Sequence, residues 1–272
     1  MYHYKKIVAV TPSGRKKYLE VLKDYIINNP LIDEWQLWQN TNKKEDIEYI
    51  NFLHHNYQKV NVVRVEGATG NAYQIHKFFK YCTKKDTVYI RLDDDVVWMD
   101  KNSVLNLVNF RINNPEYFLV YGNIINNCIC DHLHQKNKAL EIEENIGYDC
   151  LDEVGWETPY VAEKKHRCLL NAINKNDVHK YFFKNHILED YKRCSINVIS
   201  WLGEEFYEFK GSVGADEEDW LSCDKPKRLQ KTNIILGDSL FSHFSFHTQA
   251  EHMEKTDILE QYKKLKRNSC LS

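Results

Sequence analysis

Over roughly the first hundred residues, short apolar runs alternate with segments of helical periodicity, and each run ends in a polar loop. Lys6-Ile7-Val8-Ala9-Val10, Trp35-Gln36-Leu37-Trp38, Val60 to Val65 and Val88-Tyr89-Ile90-Arg91-Leu92 read as strands. Between them, Tyr18, Leu19, Leu22, Tyr25 and Ile26 mark one helix. Ile47, Ile50, Leu53 and Tyr57 mark a second, and Ala72, Ile75, Phe78, Phe79 and Cys82 a third. A β-α-β-α-β-α-β order predicts an α/β fold, a Rossmann-like, mostly parallel sheet flanked by helices, because parallel neighbours need crossover connections. Ligands of such sheets bind beyond the carboxyl ends of the strands. The loops at 11–15, 39–42, 66–71 and 93–95 all lie at those ends and are expected to meet in one crevice. The first of them, Thr11-Pro12-Ser13-Gly14-Arg15, reads as a turn in which Ser13 could cap the following helix.

The fourth strand delivers Asp93-Asp94-Asp95. Three adjacent carboxylates repel one another and are costly at the end of a buried strand without a counter-charge. In an extended chain Asp93 and Asp95 point to one side and Asp94 to the other. Two hard oxygen ligands on one side make a seat for Mg²⁺ or Mn²⁺, whose open positions suit phosphate oxygens. Asp94 would then support these ligands from behind or contact what the ion holds, and Arg91 either pairs with these aspartates or binds phosphate. Asn71 either caps its helix or reaches a nucleotide.

The second half is less regular. Phe118 to Tyr121 reads as a strand running into Gly122 to Asn127, residues 161–191 read as helical, and Ile196 to Trp201 read as a strand. Asn233 to Phe246 reads as one strand or a pair, and the tail as an amphipathic helix with Met253, Leu259, Tyr262 and Leu265. Cys128, Cys130, His132 and His134 would share one face if extended. Spacing by two does not suit zinc, so the two histidines are expected to line an acceptor side or a polar loop.

Composition narrows the class. The 272 residues include 17 Tyr, 12 Phe and 6 Trp, too aromatic for a disordered chain. A net charge of −2 does not mark a nucleic-acid binder. No apolar run approaches the ~20 residues of a membrane span. Met1 to Lys6 lacks the apolar stretch of a signal peptide. The 8 Cys form no CxxC pair, so a soluble, cytoplasmic protein with reduced thiols is expected. No GxGxxG follows the first strand and no GxxxxGK[ST] occurs, which argues against a dehydrogenase or P-loop enzyme.

Four segments together carry a resemblance: Ile7-Val8-Ala9-Val10-Thr11-Pro12, Tyr89-Ile90-Arg91-Leu92-Asp93-Asp94-Asp95, Glu218-Asp219-Trp220-Leu221-Ser222 and Ser242-His243-Phe244-Ser245-Phe246. In this order the chain resembles the GT-A glycosyltransferases, of the soluble kind found in viruses and bacteria. The resemblance implies a nucleoside diphosphate sugar donor held with Mn²⁺ or Mg²⁺ by the aspartates, a glycan or glycoconjugate acceptor, and an acidic general base. It implies one GT-A domain over 1–272. Residues of about 1–100 would bind the nucleotide sugar, about 101–250 the acceptor, in a mixed half, and 251–272 would form the terminal helix. The acidic residue common after the family's second strand is replaced here by Asn40-Thr41, so the nucleotide base is left open.

The expected metal ligands are Asp95, Asp93 and His243. The expected donor contacts are Thr11, Pro12, Ser13, Arg15, Asn40, Asn71, Arg91, Asp93 and Asp94. The expected catalytic carboxylate is Asp219, with Glu218 and Asp216 beside it. Strand alternation puts His243 and His247 on one face, with Phe244 and Phe246 on the other. The two histidines lie about 13 Å apart in extended chain, so only one can ligate, and the resemblance favours His243. Two further readings stand beside this one. They are a nucleotidyltransferase that makes sugar nucleotides, whose Gly-rich loop Thr11 to Lys17 matches only faintly, and a non-catalytic nucleotide-sugar-binding module.

Overall fold

A computed structural model describes residues 6–269, so Met1 to Lys5, where the lack of a leader was read, lie outside the described residues. β1 (Lys6–Ser13), β2 (Glu34–Gln39), β3 (Val60–Val63) and β4 (Thr87–Leu92) pair in parallel, in the spatial order β3-β2-β1-β4. Two helices, α1 (Lys16–Ile27) and α2 (Lys44–Asn56), and a 3₁₀ segment, Ala72–Tyr81, make the crossovers. The apolar stripe of α1 (Tyr18, Leu19, Val21, Leu22, Ile26) is buried, as its spacing requires. The third crossover is wound as 3₁₀ rather than α-helix. Its packing demand is two neighbours rather than a stripe: Phe78 and Phe79 are buried against Trp38, with ring centroids 5.5 and 5.0 Å away.

The chain continues through β5 (Val96–Met99), α3 (Ser103–Asn113), β6 (Val120–Ile125), α4 (Cys128–Lys136), α5 (Pro159–Asn174), β7 (His186–Leu188), β8 (Val198–Leu202) and β9 (Asn233–His243). These strands extend the same sheet as β4-β8-β6-β9-β5, with β7 also on β9. Antiparallel pairs now appear, at β4·β8, β6·β8, β5·β9 and β7·β9. Only three residues link β4 to β5, although the two strands lie four places apart in the sheet. The register of β6 on β9 shifts between Gly122 and Asn123, whose partners are Leu236 and Leu240. Such a bulge bends the strands, and beyond it β9 ends at His243, opposite Val96 at the start of β5. Trp201 on β8 is fully buried between Tyr89 and Phe206, with centroids 5.5 and 4.9 Å away. Its replacement by Ala would cost about 3–5 kcal/mol.

Four expectations are corrected here. Thr11 to Ser13 are not a turn but the last residues of β1, in register with Leu37 to Gln39. Ser13 Oγ therefore bonds back to the Thr11 carbonyl (2.8 Å) and does not cap α1. The stretch 161–191 is not one helix. α5 ends where Asn176 turns left-handed (φ 54°) and Asp177 N–H reaches the Ala172 carbonyl (2.8 Å), a glycine-type stop made by asparagine. Cys128 to His134 are helical, not extended. Asn127 caps the helix, and Cys130 and His134 face the core one turn apart. His134 is fully buried on Asn123 Oδ1 (2.7 Å), so it lines no acceptor surface. Finally, β9 ends at His243, so alternation stops there. The His243 and Phe246 rings then lie together at 4.9 Å, while His247 packs on Trp156. The tail holds two helices, Ala250–Met253 and Ile258–Ser269. No helix among the described residues is long and apolar enough to cross a membrane.

Candidate metal and donor site

The ends of β4, β6 and β9 and the start of β8 meet at one edge of the sheet. Asp93 to Asp95 form a tight turn there, closed by Val96 N–H on the Asp93 carbonyl (3.1 Å). Asp93 N–H bonds the Asn197 carbonyl (2.9 Å), and Phe244 N–H bonds the Asp95 carbonyl (2.9 Å), so the turn is pinned from both neighbouring strand ends. Asp93, Asp95 and His243 each present a ligand atom, all within 4.8 Å of one another. Asp94 turns the other way, onto Gly14 N–H (3.1 Å) and Arg15 Nε (2.9 Å). The alternation read from the sequence therefore holds in outcome, through a turn rather than an extended strand.

The three carboxylates differ in how far their charge is answered. Asp93 Oδ1 accepts from Arg91 Nε (3.0 Å) and Oδ2 from Asn197 Nδ2 (3.2 Å). Asp95 is 1% exposed, and neither of its oxygens has a hydrogen-bond partner. Its oxygens face only charge, the Arg15 guanidinium at 3.1 Å and His243 Nε2 at 3.4 Å. Burial acts to raise the Asp95 pKa, but Arg15 and His243 outweigh it and hold the carboxyl well below its usual range. Burial raises Asp94 above the usual carboxylate value, with Arg15 offsetting only part of it. Burial disfavours a charged His243, yet Asp95 and Asp93 hold its pKa above the ordinary histidine value. Unbonded buried oxygens are expensive unless something fills the space before them. Two carboxylates and an imidazole suit a divalent ion, and the imidazole favours Mn²⁺ over Mg²⁺. The residues fit such an ion, with Asp95 the most available ligand.

The remaining expected donor contacts are placed as follows. Arg15 stands at the mouth of the site, its side chain 40% exposed and stacked on Tyr18 (4.9 Å). Thr11 and Ser13 are fully buried, with Thr11 Oγ1 held by Trp35 Nε1 (2.9 Å). Pro12 lies between them, buried within β1. Asn40 ties two loops together, accepting from Gly70 N–H (3.0 Å) and donating to the Asn71 carbonyl (3.1 Å). A Cβ on Gly14 would stand 2.9 Å from the Asn40 carbonyl, so this close approach needs glycine. Asn71 caps the 3₁₀ segment through Tyr73 N–H (2.9 Å). Arg91 is buried between Asp93 and Glu217, with Nη1 to Glu217 Oε1 at 2.7 Å.

The acidic run splits in two. Asp216, Glu218 and Asp219 surround the Arg193 guanidinium, at 3.2, 2.9 and 3.8 Å. Asp216 also caps the helical turn Glu217–Asp219 through Asp219 N–H (3.1 Å). Glu217 turns inward instead, and burial pushes it up to about 7, with Arg91 offsetting only part of the effect. Sequence reasoning did not single out Glu217, Asn197 or Arg193. Four consecutive acids carry no local signal of which one turns inward. Asn197 reaches Asp93 only because β8 runs antiparallel to β4, with Leu92 opposite Val198.

No family model matches the sequence, and no curated protein matches it. Solved structures do match by shape. The mannosyltransferase PcManGT from Pyrobaculum calidifontis, in complex with GDP-Man and Mn²⁺, superposes with a TM-score of 0.54 at 11% identity. The match covers 96% of this chain and 64% of that one, so this chain spans less than two thirds of the mannosyltransferase. Glucosyl-3-phosphoglycerate synthase from Mycobacterium tuberculosis, with Mn²⁺, UDP and glucosyl-3-phosphoglycerate, gives 0.51 at 12% identity, covering 94% of this chain and 77% of that one. The fold is of the GT-A type. A 4-diphosphocytidyl-2C-methyl-D-erythritol synthase overlaps more loosely, with a TM-score of 0.49 at 10% identity, over 93% of this chain and 97% of that one. Within the GT-A frame, the aspartate turn lies at the carboxyl end of β4, where open α/β sheets place their ligands.

Proposed function

We propose that the protein is a divalent-metal-dependent glycosyltransferase that moves a sugar from a nucleoside diphosphate sugar to a hydroxyl acceptor with inversion. The observation that carries this reading is the buried Asp93, Asp95 and His243 cluster, with its unbonded Asp95 oxygens. The GT-A fold supports it, as do the two glycosyltransferases of similar shape, which hold Mn²⁺ with GDP-Man and with UDP. Mn²⁺ or Mg²⁺ held by these three residues supplies Lewis-acid stabilisation of the departing diphosphate.

The chain's own groups do the rest. Arg15, partly exposed at the mouth, meets diphosphate oxygens, and Asp94 holds its fork in place. The adjoining ends of β2 and the 66–71 loop, tied by Asn40 and Asn71, form the wall beside which a nucleoside lies. A carboxylate of the 216–219 segment, Asp219 first, accepts the proton of the acceptor hydroxyl as its oxygen bonds the anomeric carbon. The carbon–diphosphate bond breaks on the opposite side, which inverts the centre, by the logic of inverting glycosidases with the acceptor in place of water. Arg193 orients these acids until an acceptor displaces it. Incubation with UDP-, GDP- and TDP-sugars and Mn²⁺ tests the reading. Slow release of a nucleoside diphosphate is expected. Pyrophosphate-dependent formation of a nucleoside triphosphate, or binding without turnover for any acceptor, would overturn it.

A further inference from the structure

Beneath His243 lies a charged network that the proposed chemistry does not use. Lys165 on α5 and Asp131 on α4 are both fully buried, with Lys165 Nζ 2.8 Å from Asp131 Oδ2. Removing two charges from water costs more than such a pair usually returns, so the pair is a weak source of stability. Its contacts point to a different use. Lys165 Nζ also donates to Asn126 Oδ1 (3.2 Å) and to the Gly155 carbonyl (2.8 Å), while Asp131 Oδ1 accepts Asn126 N–H (3.1 Å). Asn126 Nδ2 donates to Gln249 Oε1 (2.9 Å), and Gln249 Nε2 closes the ring on the Gly155 carbonyl (3.0 Å). Asn126 is thus held by three side chains, those of Lys165, Asp131 and Gln249.

Asn126 has a left-handed backbone (φ 64°), a conformation asparagine tolerates but does not favour. In that conformation its carbonyl faces His243 Nδ1 at 3.2 Å. A carbonyl only accepts, so Nδ1 must carry the proton, and Nε2 is the nitrogen turned to Asp95. We propose that Lys165 and Asp131 are positioning residues, which lock Asn126 so that its carbonyl fixes the orientation of His243 and aims Nε2 at the cation centre. The proposal rests on the reading of Asp93, Asp95 and His243 as that centre. Groups that orient a ligand by its second nitrogen commonly change metal affinity by about 10–100-fold.

The test is direct titration of the full chain with Mn²⁺ and with Mg²⁺ by calorimetry, with a melting curve for each variant. Asp131→Asn combined with Lys165→Met removes both charges at similar volume and leaves neither one unpaired. Mn²⁺ affinity is expected to fall about 10–100-fold, and Mg²⁺ affinity less, since imidazole matters less to it. His243→Ala should lose as much, and adding it to the double variant should lose nothing more, because both act through one ligand. Unchanged Mn²⁺ affinity in His243→Ala would overturn the centre itself and the proposal with it. A weakened His243→Ala beside a folded double variant that binds Mn²⁺ like the wild type would overturn the positioning role alone. Should the double variant not fold, Asn126→Gly keeps the left-handed backbone and removes the amide that Lys165 grips. Weakened Mn²⁺ binding there supports the proposal, and unchanged binding overturns it.

Discussion

The two acidic clusters of this chain have similar sequences and opposite fates. Asp93 to Asp95 sit at the end of a buried strand, and Asp95 keeps two buried oxygens without hydrogen bonds. Asp216, Glu218 and Asp219 sit on a half-exposed turn and share one arginine, Arg193. The first cluster is buried at Asp95, whose two oxygens lack hydrogen bonds beside Asp93 and His243, and so suits a cation. The second shares one guanidinium among three acids within reach of solvent, which screens the charge that Arg193 leaves unanswered. Glu217 and Arg91 join the clusters, since Arg91 bonds Asp93 on one side and Glu217 on the other.

The largest effect should separate the two clusters kinetically. Asp219→Asn is expected to lower kcat by about 10²–10⁴-fold with donor affinity retained, as removal of a general base should. A normal kcat would pass the role to Glu218 or Asp216, and the corresponding Gln and Asn variants identify which. Next comes the joint between the clusters. Arg91→Met removes the buried partner that Asp93 and Glu217 share and should cost about 3–5 kcal/mol in denaturant unfolding. Arg193→Met, with the side chain 32% exposed, should cost no more than about 1 kcal/mol. Equal losses would erase the contrast between buried and exposed acids.

A pH experiment sharpens the same contrast. Glu217 is pushed from 4.5 up to about 7 by burial, against the pull of Arg91. Between those pH values the folded chain binds a proton that the unfolded chain has lost. Glu217 therefore contributes most below pH 4.5, and its contribution falls as pH rises through about 7. Wild type should lose up to about 3 kcal/mol relative to Glu217→Gln across that window. A flat difference would mean that Arg91 keeps Glu217 ionised throughout.

Much of the first half was legible because its elements are specified locally. Apolar runs, the α1 stripe and strand-end loops are short-range patterns, and parallel pairing follows from their order. Asp95, Asp93 and His243 come together as read, because β4 and β9 end at the same edge. The second half was less legible because its placement is decided at long range. The turn of Glu217 toward Arg91 depends on a partner 126 residues away. The helical state of Cys128 to His134 depends on Asn127 capping, which competes with an equally plausible alternating pattern. The Lys165 and Asp131 pair had no sequence signature, since i-to-j charge pairs between helices leave no local spacing.

The central claim is that a divalent ion at the β4 edge is what lets this chain hold a nucleoside diphosphate sugar. Calorimetric titration of UDP-, GDP- and TDP-sugars into the wild type and Asp95→Asn, each with Mn²⁺ and with EDTA, tests it most directly. The account predicts that at least one donor binds the wild type in Mn²⁺, and that EDTA or Asp95→Asn weakens this binding by at least about 10-fold, with the melting curve preserved. Donor binding of equal strength in EDTA, or in Asp95→Asn, would contradict it.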